Sequence, residues 1–186
     1  MDSKTTAVDG IKLFLWDRLK RAGFMKATDY KRTPLVPVQE VPEFIAEIEA
    51  MKNPPYIVYN WTTDTIGNFW LMPSDQVAFL IYSPDMSTIN NIVVFMSALF
   101  KRKDDSAQEV NDYIRKLGQE LPGDTVATKE SRRKVRETVG RFDYKSITLN
   151  SAGAPLPFEQ DGGRQEAMVS ISVMYTQQLD DTGMPL

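Results

Sequence analysis

The segment between residues 54 and 118 constrains the fold of this chain more than any other part of its sequence. Residues 77–82 are apolar at every position, which predicts a strand that is covered on both faces and is therefore central in its sheet. Pro54 and Pro55 end the preceding helix, because proline lacks an amide donor and restricts the residue before it. Residues 56–61 are then expected to form a neighbouring strand.

Two amphipathic helices are predicted after these strands. Ser87 or Thr88 is expected to cap the first helix. Its apolar residues recur at offsets of three and four, at Ile89, Ile92, Val93, Met96, Leu99 and Phe100. Ser106 and Glu109 have the spacing of a capping box for the second helix, which Gly118 is expected to end. The predicted buried stripe of the second helix is Ala107, Val110, Tyr113, Ile114 and Leu117.

The first forty residues predict a helix and then an extended arm. Asp9 is expected to cap this helix, and Gly23 is expected to end it. The arm is the proline-rich segment 33–42, and a further helix is expected to begin near Pro42. Residues 69–72 have the composition of a short additional strand.

The last third of the chain predicts a pair of antiparallel strands. Residues 129–142 are expected to add a short basic turn or helix before a strand at residues 142–149. Apolar and polar residues alternate along residues 169–175, as in a strand with one buried face. A long glycine- and proline-rich loop at residues 151–163 separates the two strands, and residues 179–186 are expected to form a flexible tail.

These elements predict an α/β protein of the α+β type. A chain of 186 residues is most simply one domain. We therefore expect residues 1–186 to form a single domain whose mixed, largely antiparallel sheet of about four to five strands packs against helices. The amino terminus lacks the layout of a signal peptide, and no stretch reaches the roughly 18 apolar residues of a membrane span. The expectation is a soluble intracellular protein without a membrane partner.

The residue types present exclude several kinds of catalysis. The chain contains no histidine and no cysteine, so it has neither the base of a serine triad nor a thiolate nucleophile or ligand. Neither of the common glycine-rich phosphate loops occurs. Asp104 and Asp105 are interpreted as the start of a helix, and Asp180 and Asp181 as part of a solvated tail. We therefore expect no enzyme, no cofactor and no bound metal.

One basic run departs from the overall formal charge of -3. It consists of Lys129, Arg132, Arg133, Lys134, Arg136 and Arg141. Such a run can contact nucleic-acid phosphates, but Glu130 and Glu137 interrupt it and no aromatic residues interleave with it. The preferred interpretation is an exposed, solvated face, and contact with an acidic partner protein is a further reading.

The order of segments resembles a family of virion proteins. The segments that carry the resemblance are PYIVYNW, DQVAFLIYSPD, DSAQEVNDYI, FDYKSITLN and AMVSISVMYTQQL. In the order of these segments and in their general residue pattern, the chain resembles the tail terminator, or tail completion, proteins of long-tailed bacteriophages. The resemblance covers about residues 40–178 and rests on no diagnostic motif. It implies a small α/β domain that forms a six-membered ring, caps the tail tube and receives the head connector.

The resemblance also implies partners and contact residues. The implied partners are copies of the same chain, the tail tube, the sheath, and a head connector or neck protein, with DNA only passing through the lumen. The protein would be made in the host cytoplasm and reside in the virion. A ring needs two complementary surfaces on each subunit. The candidate contacts are Arg132, Arg133, Arg136, Pro155, Phe158 and Arg164.

Two alternatives stay open at this point. The first is another bacteriophage neck, head-completion or minor tail protein, which only a position in a particle separates from a terminator. The second is a protein of a different class, a small-ligand binder or an enzyme that uses carboxylates and lysines. A concave pocket with converging acids would favour the second class, whereas flat apolar patches and extended loops would favour assembly.

Overall fold

The computed structural model describes residues 5–42, 54–64, 73–153, 156–157 and 165–178. These residues adopt an α+β fold in which a mixed, largely antiparallel sheet packs against helices, and this confirms the predicted fold class. The helices are α1 (Ala7–Arg21), α2 (Met86–Phe100), α3 (Asp104–Gly118) and α4 (Val126–Glu137). The strands are β1 (Leu35–Pro37), β2 (Tyr56–Asp64), β3 (Ser74–Ser83), β4 (Phe142–Ala152), β5 (Leu156–Pro157) and β6 (Gln165–Gln177). Short 3-10 turns lie at Ala27–Asp29, Val38–Glu40 and Val139–Arg141.

The strands lie in the order β1-β2-β3-β6-β4, and the short strand β5 also pairs with β6. Strands β1 and β2 are parallel, and all the other pairs are antiparallel. Strand β3 is therefore central, as its apolar run predicted. The antiparallel pairing predicted for the last two long strands is also confirmed, since Ile147 of β4 lies opposite Val173 of β6.

The two faces of the central strand differ in burial. Every second residue of β3 is buried on the helix-covered face, namely Asp75, Val77, Phe79, Ile81 and Ser83. On the opposite face Ala78, Leu80 and Tyr82 are half-buried. The prediction that β3 is fully covered on both faces is therefore wrong. Apolar composition alone did not reveal this difference, because a continuous apolar run has no period that marks one face.

Helix α2 crosses the buried face of the sheet over β6, β3 and β4. Its buried residues are the six that the sequence predicted, Ile89, Ile92, Val93, Met96, Leu99 and Phe100. The predicted cap at Ser87 or Thr88 is wrong, because Asp85 is the capping residue. Its carboxylate accepts the backbone N–H of Ser87 at 3.2 Å and that of Thr88 at 2.9 Å. The Thr88 hydroxyl also donates to this carboxylate and is the largest cause of its lowered pKa.

Helix α1 begins two residues before the predicted cap. Thr6 occupies the cap position, and Asp9 lies inside the first turn, where its carboxylate accepts the Thr6 N–H at 2.7 Å. The prediction that Asp9 caps the helix is wrong, although its carboxylate still satisfies a donor at the helix start. Gly23 ends the helix as predicted, with φ of 79°. The N–H of Phe24 then donates to the Leu19 carbonyl at 3.1 Å, which completes a Schellman motif.

The junction between α2 and α3 differs from the predicted capping box. The Ser106 hydroxyl donates to the Leu99 carbonyl at 2.7 Å, and Glu109 forms ion pairs with Arg18 and Arg102. Ser106 and Glu109 therefore connect α3 to its neighbours instead of capping each other. The predicted stripe of α3 faces inward, with Ala107, Val110 and Ile114 buried and Tyr113 and Leu117 half-buried. Helix α3 ends at Gly118 as predicted.

The proline-rich segment 33–42 supplies an edge strand and a turn. Leu35 and Val36 are buried, and β1 pairs with β2 from Leu35 to Pro37. Residues 156–157, inside the predicted loop, pair with β6. The predicted strand at residues 69–72 and the predicted tail at residues 179–186 lie outside the described residues, as does most of the helix expected from Pro42 and the remainder of the loop.

Tyr144 connects α1 and α3 to strand β4. Its hydroxyl donates to the Ala7 carbonyl of α1, and it also lies against Gly10. A Cβ atom at Gly10 would lie 2.1 Å from the Tyr144 hydroxyl and 2.8 Å from Cδ1 of Ile114. Helix α1 can therefore approach the sheet this closely only because position 10 has no side chain.

Helix α3 and the residue before it, Lys103, cover part of the outer edge of β4. The Asn111 side chain donates to the Tyr144 carbonyl at 2.9 Å and accepts the Tyr144 N–H at 3.0 Å, as a neighbouring strand would. Further along the edge, the Ile147 N–H donates to the Lys103 carbonyl at 3.5 Å. The β4 backbone at Tyr144 and Ile147 is therefore already hydrogen-bonded within the chain.

We expect Gly10→Ala to destabilise the protein by about 1–3 kcal/mol, because the added methyl group overlaps the Tyr144 hydroxyl. The substitution should cost less in a Tyr144→Phe background, which lacks that hydroxyl. Chemical denaturation of the two single variants and the double variant measures this coupling. Gly118→Ala is the matched control, because its Cβ would meet ordinary contacts of 3.5 Å to Arg136. An equal cost of Gly10→Ala in both backgrounds would contradict the proposed overlap.

Lys103 has a backbone conformation that side chains disfavour. Its φ is 49° and its ψ is -104°, and its side chain is exposed. We expect Lys103→Gly to stabilise the protein by about 1 kcal/mol, since relief of strain exceeds the larger chain entropy of unfolded glycine. The control Lys101→Gly, at a helical φ of -70°, should destabilise it. Urea denaturation curves of both variants test the difference, and a destabilised Lys103→Gly would refute the strain.

Candidate functional site

Three of the six predicted contact residues are described, and all three lie on α4. Arg132, Arg133 and Arg136 belong to a helix that has no buried residue and that packs mainly against α3. Thr125 caps this helix by accepting the Thr128 N–H at 3.3 Å. The short basic helix predicted after residue 128 is therefore present, and it begins three residues earlier than expected. Pro155, Phe158 and Arg164 lie outside the described residues.

Arg132 faces α3 and the loop that precedes α4. Its guanidinium donates to the Leu117 carbonyl at 3.2 Å and pairs with Asp124 at 2.8 Å. Asp124 also accepts the Leu121 N–H at 2.8 Å, and this backbone hydrogen bond is the largest cause of its lowered pKa, with Arg132 a smaller one. Arg132 therefore has a structural role in holding α4 onto α3.

Arg133 and Arg136 are both exposed and, being three residues apart, lie on neighbouring parts of one side of α4. Arg133 lies 3.6 Å from Glu137, and Arg136 lies 3.9 Å from Glu120. Arg141, the last cation of the basic run, turns inward and donates to the Thr5 carbonyl at 3.0 Å. The run is therefore divided between structural contacts and exposed cations, and it does not form a continuous strip.

Exposed apolar side chains accompany the outer cations of α4. Val126, at the start of the helix, is 85% exposed, and Leu121 in the preceding loop is 47% exposed. Val126 lines a shallow depression together with Lys129 and Arg133. We call the exposed side of α4 formed by Val126, Lys129 and Arg133, together with Leu121, the outer α4 surface. Apolar contacts ringed by charge are characteristic of protein–protein contact surfaces.

A cleft of about 440 Å³ lies where α3, α4 and the sheet meet. The end of α3 forms one wall. The start of β4 and the end of β6 form the other wall. Its lining residues are Asn111, Ile114, Arg115, Gly118, Gln119, Glu120, Arg136, Gly140, Phe142, Asp143 and Gln178. The volume is within the range of small-molecule sites. We call this space the α3–β4 cleft.

The acids and cations of the α3–β4 cleft are mostly paired with each other. Asp143 accepts the Asn111 amide at 3.1 Å and forms an ion pair with Lys145. Arg115 pairs with Asp112 at 2.8 Å. A guanidinium has five N–H donors, so a single contact leaves Arg115 and Arg136 with donors for a ligand. The cleft therefore combines two cations, Arg115 and Arg136, and two acids, Glu120 and Asp143, with the apolar residues Ile114 and Phe142.

Sequence reasoning did not identify the α3–β4 cleft. Its lining comes from the ends of α3, α4 and β4, within residues 111–143, and from Gln178 at the end of β6. Each position has an ordinary local explanation, such as the last turn of a helix or the first residue of a strand. The one available signal is the glycine pair Gly118 and Gly140, which leaves space beside Arg136.

A second group of titratable residues lies inside the core. Asp75 of β3 is only 1% exposed, and the Tyr175 hydroxyl lies 3.4 Å from its carboxylate. The Thr63 side chain also hydrogen-bonds to this carboxylate. Burial raises the pKa of Asp75 above its ordinary value, and the two hydrogen bonds oppose that rise without cancelling it. The ionised carboxylate therefore destabilises the fold.

The described residues contain no group of three or more carboxylates placed to hold a metal ion. Asp104 and Asp105 lie in the first turn of α3, as predicted from their charge. Asp180 and Asp181 are outside the described part of the chain. Within that part, no helix combines the length and apolar character needed to cross a membrane.

No protein-family model matches this chain, and no curated protein matches it significantly.

Asp75→Asn is expected to stabilise the protein at neutral pH by on the order of 1 kcal/mol, because it removes a buried charge and keeps an acceptor for Tyr175. The folded-state pKa of Asp75 is raised, so its ionisation costs stability as pH rises through that pKa. The advantage of Asp75→Asn should therefore shrink as pH falls toward the ordinary aspartate pKa. Guanidinium denaturation at several pH values measures it, with the exposed Asp29→Asn as control. A pH-independent difference would contradict the assigned cause.

Proposed function

We propose that this chain is a bacteriophage tail terminator, a structural virion protein that forms a ring, caps the tail tube and joins it to the head connector. The carrying observation is the order of the described elements. The four segments that resemble terminators in the sheet region fall on β2, β3, β4 and β6. Helices α2 and α3 come between β3 and β4 and cover the same face of the sheet. A small α/β domain is what the resemblance implies, so this arrangement supports the proposal.

The outer α4 surface supports an assembly role. Helix α4 buries none of its residues, so the core does not require its outer side to carry an apolar residue. Val126 nevertheless stands 85% exposed among cations. In a ring, a surface of this kind on one subunit would meet a different surface of the next subunit. We propose that Arg133 belongs to this contact, whereas Arg132 supports the helix that carries it.

Electron microscopy of the purified protein is expected to show annular particles, with light scattering giving the number of subunits. Arg133→Glu should weaken self-association by about tenfold or more, since it reverses a charge in the proposed contact. Lys31→Glu, an exposed charge reversal away from α4, is the control. Deletion of residues 158–163, which spares β5 and β6, tests the loop that was also expected to contact neighbours.

Immunogold labelling of virions that carry the protein provides a second measurement. The label is expected at the junction of head and tail. Label elsewhere on the particle would favour another neck or minor tail protein. A protein that stays monomeric at high concentration and is absent from virions would refute the proposal.

The α3–β4 cleft favours one candidate of a different class, a small-ligand binder. Its volume of about 440 Å³ and its mixture of Arg115, Arg136, Asp143 and apolar residues suit a small polar molecule. Thermal shift measurements with a panel of small anions would test this alternative. Stabilisation that is lost in Arg115→Gln would support the ligand binder over the assembly subunit.

A further inference from the structure

We propose that residues 119–138, which carry α4, open as a unit from the rest of the subunit and thereby control access to the α3–β4 cleft. We call this segment the α4 flap. The Arg132 side chain is the latch that holds the flap closed. This inference concerns the single subunit and does not depend on the proposed ring.

The α4 flap makes little contact with the core. None of residues 119–138, all of which the structure describes, is buried. Within α4 itself Arg132 and Val135 are half-buried and the other ten residues are exposed. By contrast, α2 buries six of its fifteen residues and α3 buries five. Local stability depends on buried apolar contacts, so the flap should open at a lower free energy than the rest of the fold.

Two fixed points bound the α4 flap. Gly118, the last residue of α3, is buried, and so is Val139, the first residue after the flap. Beyond Val139, the Arg141 carbonyl accepts the Gln178 N–H at 2.9 Å, which ties this end to β6. The flap can therefore open between these points without separating α3 from the sheet.

Arg132 supplies the polar contact that crosses the boundary of the flap. Its guanidinium donates to the Leu117 carbonyl of α3 at 3.2 Å. It also pairs at 2.8 Å with Asp124, which lies inside the flap. Asp124 therefore orients the guanidinium, and the Leu117 carbonyl is the group that the latch holds. Val135 adds a half-buried apolar contact with the core.

Opening of the flap changes the walls of the α3–β4 cleft. Glu120 and Arg136 line the cleft and belong to the flap, whereas Ile114 and Phe142 line it from the body and are buried. In the closed position, α4 lies directly on the end of α3, because a Cβ atom at Gly118 would be 3.5 Å from the Cβ atom of Arg136. Removal of Glu120 and Arg136 would admit larger molecules to Ile114 and Phe142.

Helix α4 is not expected to stay helical once it is detached. It has twelve residues, and isolated helices shorter than about 12–15 residues are marginal in water. Opening should therefore break the helical hydrogen bonds of α4 and free its amides for exchange with solvent. The amides of α2 and α3 should stay protected at the same time.

Hydrogen exchange of the full chain tests the opening, by NMR spectroscopy at several urea concentrations below the unfolding transition. The protein is kept dilute enough for light scattering to show single subunits. The protection factors of α4 amides are expected to be roughly 100-fold or more below those of α2, with little dependence on urea, because local opening exposes little surface. Equal protection and equal urea dependence in α4 and α2 would overturn the proposal.

The latch is tested by one variant and a matched control on the next residue. Arg132→Gln is expected to lower the protection of α4 amides about fivefold, the effect of one lost hydrogen bond. Arg133→Gln removes the same charge, but Arg133 pairs with Glu137 inside the flap, so it should change the protection less than about twofold. Equal effects of the two variants would overturn the assignment of Arg132 as the latch.

A helix-breaking variant separates the flap from the body. Ser131 is exposed in the middle of α4, and Ser131→Pro should prevent the helix from closing. The amide signals of α2 and β3 should stay dispersed and unshifted, and their collapse would overturn the proposal. A soluble gadolinium chelate should broaden the Ile114 methyl signal more strongly in Ser131→Pro than in the unchanged protein. Equal broadening would refute control of the cleft by the flap.

Discussion

The close approach of α1 to the sheet at Gly10 and Tyr144 is the contact on which the rest of the structure depends. Tyr144 bonds α1 through its hydroxyl and α3 through its backbone, so one residue fixes two helices over the edge strand β4. Its hydroxyl is buried, and the hydrogen bond to the Ala7 carbonyl compensates for the hydration that the hydroxyl loses on folding. The helical layer and the sheet are thus aligned by a polar contact inside an apolar core.

The buried faces of the helices could be predicted from the sequence, whereas their capping residues could not. The buried residues of α2 follow directly from their spacing, because side chains three and four apart share one face of a helix. Asp85, Ser87 and Thr88 could each cap α2 by composition alone, and only the backbone conformation at Asp85 decides among them. The backbone conformation of Lys103 was even less predictable from the sequence. No sequence rule places a lysine at positive φ, and the strain there is imposed by packing between α2, α3 and β4.

The functional surfaces were predictable to different degrees. The basic run identified α4 as an unusual surface element, yet it could not separate Arg132, which binds a helix-end carbonyl, from Arg133, which faces outward. That separation depends on the rotation of α4 about its axis, which the position of α3 fixes. The α3–β4 cleft was inaccessible because it exists only after four element ends meet. Arg133 and Arg136 are three residues apart and so lie on neighbouring parts of one side of α4.

The hydrogen bonds from Asn111 and Lys103 to the outer edge of β4 have a consequence for aggregation. An unprotected edge strand can template the addition of foreign strands, which leads to open-ended polymers. At Tyr144 and Ile147 an incoming strand would have to displace contacts that the chain already makes. At the opposite edge, β1 is three residues long and ends in Pro37, which has no N–H to offer. Strand addition is thus opposed at Tyr144 and Ile147 of one edge and along β1 at the other.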